Sequence, residues 1–347
     1  YDSATVGAEN TPVKFDVEPG YYCIDSTLGT KSAVYLTTNE KLTTLEKNSI
    51  PGITKSVYED STEDYGASND ASVGDTVKFK ITVNTGSGVD SLEIVDVLSR
   101  GLKLSSDPKI EGENVKGTLK IDNKSENGFT ATITGHEDSK LIEVVYTAVV
   151  TPDAVVSTGI ENTAKLIYGE NDTVTPEVKT KTYTWSFNVG KVDANDNGLD
   201  GATFSIYETE DDAKTKTNAL TFTGAKGVYQ YNPEGTVTVL ESNGEGEYVI
   251  NGVDSGSYYV REIEAPTGYN KTEEVYTATV TSDNKYDTDT LSVRVSSPTI
   301  VNYTGTVLPS TGATGTAIFV AVGSVLVVAM FVLLIVRKRM TKLVYTK

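Results

Sequence analysis

Residues 77–83, VKFKITV, alternate without a break. Val77, Phe79, Ile81 and Val83 fall on one side of an extended chain, and Lys78, Lys80 and Thr82 on the other. The same period of two runs through KLIEVVYTAVV, AKLIYG, TYTWSFNVGKV, ATFSIYE, EYVING and SYYVREI. Turn clusters GSG, DNG, GEG and PTG separate these runs at short intervals. Such a pattern buries one face of each strand and wets the other, which predicts an all-β fold of tandem Ig-like β-sandwiches. No helical run is read before the C-terminal tail.

The tail breaks the alternation. Ala317 to Val336 is a run of 20 residues without a charge, long enough as a helix to cross a hydrocarbon core of ~30 Å. Arg337, Lys338, Arg339, Lys342 and Lys347 follow it, so the positive-inside rule places residues 337–347 in the cytoplasm and residues 1–316 outside. The whole chain carries 48 acidic against 30 basic residues, a formal net charge of −18. A polyanion of this kind does not bind nucleic acid by neutralising phosphates. The single cysteine, Cys23, allows no intramolecular disulfide. The single histidine, His136 in TGHEDS, removes nearly every zinc site and every Ser-His-Asp or Cys-His hydrolase arrangement, and it is read as a solvated loop residue. No cofactor or metal is implied. The chain starts at Tyr1 with no signal peptide, yet its tail requires export, so a mature or N-terminally truncated fragment is expected.

Three blocks precede the tail. Residues 1–50 hold too few strands to enclose a core and read as the C-terminal part of a truncated β domain. Residues 51–181 and 182–304 are each the size of one sandwich. Residues 305–316 form a linker that contains LPSTG, Leu308, Pro309, Ser310, Thr311 and Gly312.

LPSTG followed by a spanning run and a basic end resembles the LPxTG sorting signal of Gram-positive surface proteins. The resemblance implies that a sortase cleaves after Thr311 and passes its acyl group to an amine, on a peptidoglycan precursor or on another subunit. The membrane would then be met only through the sorting helix, before cleavage, and the product would be anchored covalently to the cell wall.

VGKVDANDNGLDGATFSIYE (189–208), YYVREIEAPTGY (258–269) and TIVNY (299–303) resemble the CnaB-type domain of bacterial adhesins and pilins. That family joins a strand lysine to an asparagine on the last strand through an isopeptide bond, assisted by a glutamate. The matching positions are Lys191, Asn302 and Glu262, with Val260 where the pattern has Leu. PGITKSV (51–57), VGDTVKFKITV (73–83), SLEIVDVLSRGLKL (91–104) and ENTAKLIYG (161–169) resemble the fimbrial isopeptide-forming domain related to the CnaA type. The triad implied there is Lys55, Asp96 and Asn162. Asp96 alternates with Val95 and Val97, so it should project to the opposite face from both. The chemistry needs these residue types. Desolvation disfavours an ammonium and leaves a nucleophilic amine, while a buried acid retains the proton with which it polarises an amide carbonyl. The reaction is a single autocatalytic turnover, so no enzyme activity is expected.

FDVEPGYYCI (15–24) resembles the closing strand of a pilin N-terminal domain, with Cys23 read as a small buried hydrophobe. TTLEKNSIPGITK puts Lys47 where backbone pilins carry an acceptor lysine, but Leu45 and Glu46 replace the Tyr-Pro of that motif. An exposed strand-end lysine is the other reading. DANDNG (193–198) copies half of an EF-hand loop, yet Phe204 stands at its twelfth position, and a hairpin turn accounts for the same residues. The leading expectation is a structural subunit of a wall-anchored pilus or fimbria, with sortase and other pilin subunits as partners. The alternative is a monomeric anchored adhesin that binds host matrix or glycan through its N-terminal region.

Overall fold

The computed structural model describes residues 14–24, 33–37, 49–169, 172–283 and 285–305, with two isolated positions, 324 and 330. Lys47, the sorting signal Leu308–Gly312 and the apolar run 317–336 (those two positions aside) lie outside the described residues. Among the described residues no helix is long and apolar enough to cross a membrane.

Alternation becomes burial along the strands. In Thr76–Asn84 the side chains of Val77, Phe79, Ile81 and Val83 are buried while Lys78, Lys80 and Thr82 are half-exposed. This strand is central in a six-stranded sheet, between Gly52–Glu59 and Leu141–Val150. The facing sheet runs through Thr118–Ser125, Gly128–Thr134, Ser91–Leu98, Ile160–Tyr168, Val178–Tyr183 and Ser68–Asp70. Between the two lies one apolar core, Phe79, Ile81, Leu92, Ile94, Ile133, Val144 and Leu166 among its members.

A second sandwich follows. One sheet orders Phe222–Ala225, Val228–Tyr231, Glu247–Val253, Trp185–Val192 and Thr299–Val301. The other orders Leu240–Glu241, Thr203–Tyr207, Gly256–Glu264, Val275–Ser282 and Val293–Ser296. Its core is separate and richer in aromatics, including Trp185, Phe187, Phe204, Phe222 and Tyr248. The first strand of this sandwich pairs in parallel with the last, Lys191 opposite Ile300.

Three local readings are corrected. A short helix, Glu210–Thr215, interrupts the strands. Thr209 caps it by accepting from the Asp212 amide, three acidic residues fill its first turn, and Ala213 is its buried contact. Cys23 is exposed. It lies on Gly20–Ile24, which pairs antiparallel with Ala33–Thr37, opposite Val34, and among the described residues no second layer covers this two-stranded ribbon. His136 is half-buried, with Nδ1 against the Glu137 carbonyl. DANDNG closes on itself as a turn, Asp193 Oδ1 accepting from the amides of Asn195 and Asn197.

Only Thr184 separates Val178–Tyr183 from Trp185–Val192, and the junction between the sandwiches is hydrogen-bonded on several sides. Asp70 is buried there. Its Oδ2 accepts from Trp185 Nε1 at 2.7 Å and its Oδ1 from the Tyr286 hydroxyl at 2.7 Å. The amides of Ala67 and Val73 donate to the carbonyls of Tyr286 and Gly252. Gly66 permits this approach, because a Cβ there would stand 2.1 Å from the Tyr286 carbonyl oxygen. Gly66→Ala should therefore cost about 1–3 kcal/mol and lower the thermal midpoint by several degrees, whereas Gly52→Ala, whose Cβ would meet only Asn84 Cβ at 3.9 Å, should change it little.

The junction also gathers acids. Burial, with Asp70 next in effect, pushes the Asp254 carboxyl up to about 9, and burial pushes Glu59 up to about 7. Both groups bind protons more tightly in the folded chain than in the unfolded one, where carboxyls titrate near ~4. The stability that these two groups contribute is therefore greatest at acidic pH and is lost as pH rises through these two values. The thermal midpoint should decline between pH 5 and pH 9, and Asp254→Asn should flatten the upper part of that decline.

Candidate isopeptide-forming sites

The first site spans both sheets of the first sandwich. Lys55 lies on Gly52–Glu59, and Tyr146 two strands away in the same sheet, on Leu141–Val150. Asp96 and Asn162 face them from the neighbouring strands Ser91–Leu98 and Ile160–Tyr168, where Asp96 pairs with Ala164 and Asn162 with Leu98. Asp96 shares the buried face with Leu92, Ile94 and Leu98, away from Val95 and Val97. All four polar side chains are buried.

Lys55 Nζ touches Asp96 Oδ2 directly. It also donates to the Tyr146 hydroxyl, which donates to Asp96 Oδ2 at 2.8 Å. Asn162 Nδ2 donates to the same hydroxyl at 3.0 Å. Phe79 stacks on the Tyr146 ring at 5.5 Å and Phe129 meets its edge at 5.0 Å, so the polar cluster has apolar walls. Burial lowers the Lys55 amine below its ordinary range against the opposing pull of Asp96. Burial likewise raises Asp96 against the opposing pull of Lys55. In both partners desolvation outweighs attraction, which favours a neutral amine beside a protonated acid. Asp96 Oδ1 and Asn162 Oδ1 are buried without a protein partner.

The second site is assembled differently. Lys191 is wholly buried on Trp185–Val192. Its Nζ donates to the main-chain carbonyls of Val192 and Ile300, at 3.1 and 3.2 Å. Asn302 follows the adjacent parallel strand in the same sheet, and its amide N–H donates to Val192 O. Glu262 comes from the facing sheet. Its Oε1 accepts from Asn302 Nδ2 at 2.7 Å and its Oε2 from the Thr272 amide at 2.7 Å. Asn302 Oδ1 is buried and unpartnered. Burial lowers the Lys191 amine, with Glu262 as the main opposing influence.

All six residues carried from the sequence are thus interior, in two groups. Lys55 meets its acid directly and Asn302 meets its acid directly, whereas the hydrogen bonds of Lys191 go to main-chain oxygens. Sequence reasoning missed Tyr146 and the Thr272 amide. The alternation in KLIEVVYTAVV places Tyr146 on the buried face with Ile142, Val144, Ala148 and Val150, but carries no sign of the polar partners that meet its hydroxyl. Among the described residues no group of His, Cys, Asp or Glu is arranged to hold a metal ion.

Residues 185–292 match the family model of the prealbumin-like fold domain SpaA, and residues 300–342 that of the LPXTG cell wall anchor motif. The trypsin-resistant surface T6 protein of Streptococcus pyogenes is 27% identical over 268 residues, 68% of this chain and 47% of that protein. The chain therefore spans about half the length of the curated relative that it matches. Among solved structures, the major pilin subunit BcpA of Bacillus cereus superposes with a TM-score of 0.54 at 17% identity, covering 82% of each chain. The T6 backbone pilin of Streptococcus pyogenes superposes with a TM-score of 0.51 at 18% identity, covering 79% of this chain and 77% of that one. At these identities the structural likeness is one of fold.

Proposed function

Starting from an LPxTG-anchored, cell-wall-attached Gram-positive surface protein with pilin-type sandwiches, we propose that this chain is a structural subunit of a pilus. Its covalent handle is Thr311, which a sortase releases from Gly312 and passes to an amine of the wall or of a neighbouring subunit. Its internal stiffening is a pair of isopeptide bonds, Lys55 to Asn162 and Lys191 to Asn302.

One observation carries the second part of this reading. Two lysines far apart in sequence each lie buried in a sandwich core with an acid and an asparagine. A lysine kept for solubility or for a surface ion pair has no reason to be there, and an interior ammonium is strongly disfavoured. A neutral amine has chemistry open to it. Nζ attacks the amide carbon Cγ, the Nζ–Cγ bond forms, Nζ gives up a proton and Nδ2 gains one, and the Cγ–Nδ2 bond breaks as ammonia departs, with no oxidant or reductant involved. The acid lends a proton to the carbonyl oxygen as negative charge gathers on it and recovers that proton when the new amide closes. The orphaned Oδ1 atoms of Asn162 and Asn302 are the oxygens that such a proton would serve.

The intact mass of residues 50–306 should fall short of the sequence mass by ~34 Da, one ammonia for each bond. Asp96→Ala and Glu262→Ala should each restore ~17 Da and lower the thermal midpoint. An undiminished mass for the unaltered chain would refute both bonds. In wall extracts a detergent-resistant ladder of high-mass species would support a polymerising subunit, and a single band the monomeric adhesin.

A further inference from the structure

We propose that the hydroxyl of Tyr146 carries the proton between the incoming and the outgoing nitrogen when Lys55 condenses with Asn162, an inference that rests on reading this cluster as bond-forming. Replacing one nitrogen on an amide carbon by another requires a proton to leave the attacking nitrogen and a proton to reach the departing one. Both nitrogens bond the same phenol oxygen. Lys55 Nζ reaches it at 2.5 Å and Asn162 Nδ2 at 3.0 Å. Tyr146 therefore touches both reacting atoms, and a third contact, its donation to Asp96 Oδ2 at 2.8 Å, ties it to the acid.

The step balances. Neutral Nζ adds to Cγ, and Asp96 supplies a proton to the carbonyl oxygen. The Tyr146 hydroxyl turns from Asp96 toward Nδ2, gives it its proton and takes one from Nζ. Nδ2 leaves as ammonia, the carbonyl reforms and Asp96 recovers its proton. The phenol begins and ends neutral. Burial raises the Tyr146 hydroxyl well above its ordinary range, so a free phenolate is disfavoured and the two transfers belong to one passage. The ring is held for this by Phe79 and Phe129. Asp96 is left to act on the carbonyl oxygen alone.

The second sandwich supplies an internal control. There Asn302 Nδ2 donates directly to Glu262, and among the described residues no hydroxyl bonds the side chain of Lys191 or Asn302. Its buried Tyr248 spends its hydroxyl on the Ala202 carbonyl at 2.6 Å. One carboxyl must perform both duties in that site, and loss of the Tyr146 hydroxyl should not affect it.

The test follows crosslink formation with time. The full chain is made by brief cell-free synthesis and sampled afterwards, and the Lys55–Asn162 and Lys191–Asn302 peptides are quantified by mass spectrometry. Tyr146→Phe keeps the ring packing and removes the hydroxyl. It should slow the Lys55–Asn162 bond by about 100-fold, at the lower end of general acid–base effects, and leave the Lys191–Asn302 rate unchanged. Formation of both bonds at the unaltered rates overturns the proposal while leaving the isopeptide reading intact. Absence of the Lys55–Asn162 bond from the unaltered chain overturns both. Should Tyr146→Phe slow both bonds, folding is at fault. Incorporation of 3,5-difluorotyrosine at position 146 then decides, since it retains shape and hydroxyl while acidifying the phenol. A changed Lys55–Asn162 rate supports the relay, and an unchanged rate refutes it.

Discussion

A lysine amine closed inside a β-sandwich is the constraint on which the other features of these sites depend. Water stabilises an ammonium far more than a protein interior does, and a single carboxylate recovers only part of the difference. Lys55 shows the competition directly, because its contact with Asp96 pulls toward charge and burial wins. An interior of this kind must also be enclosed on all sides. Phe79 and Phe129 wall the first cluster, and Phe204 with Tyr248, edge to face at 5.0 Å, belongs to the core around the second. Sheets that merely covered a core could have used leucine at positions 55 and 191 with less penalty.

The two sandwiches meet this constraint with different geometry. In the first, Lys55 and Asn162 belong to facing sheets, so a bond between them would cross the core like a rivet through two plates. In the second, Lys191 and Asn302 belong to adjacent parallel strands, so a bond would lie within one sheet and the acid alone would reach across. The first arrangement ties the layers together. The second ties the start of a module to its end. The junction around Asp70 adds a third device, in which a buried carboxylate is satisfied only when Trp185 and Tyr286 from the next module are seated against it.

Much of this is legible in the order of the residues. Period-two alternation in VKFKITV and SLEIVDVL locates strands and their buried faces, and the inward turn of Asp96 follows from its parity with Leu92 and Ile94. What the pattern cannot supply are contacts whose value depends on distant partners. Tyr146 reads as one more aromatic core residue, because nothing local announces that Lys55 and Asn162, 91 and 16 residues away, meet at its oxygen. Asp70 lies in a short polar stretch that reads as a loop until Tyr286 arrives from 216 residues downstream. The Glu210–Thr215 helix is hidden for another reason, being too short to show a period and betrayed only by the threonine and acids at its start. Cys23 is misplaced because alternation gives the parity of a strand but not whether a second layer covers it.

The parallel pairing of the Lys191 strand with the Ile300 strand has a topological consequence. With the proposed bond in place, residues 191–302 close into a covalent ring that chain tension enters and leaves at neighbouring points. Everything else on that ring, its turns and its short helix included, is then a side branch that bears no load. A protease that cut one of those loops would open the ring without parting the thread, so the surface of such a module can be long, variable and nicked while the strand that carries the pull stays whole.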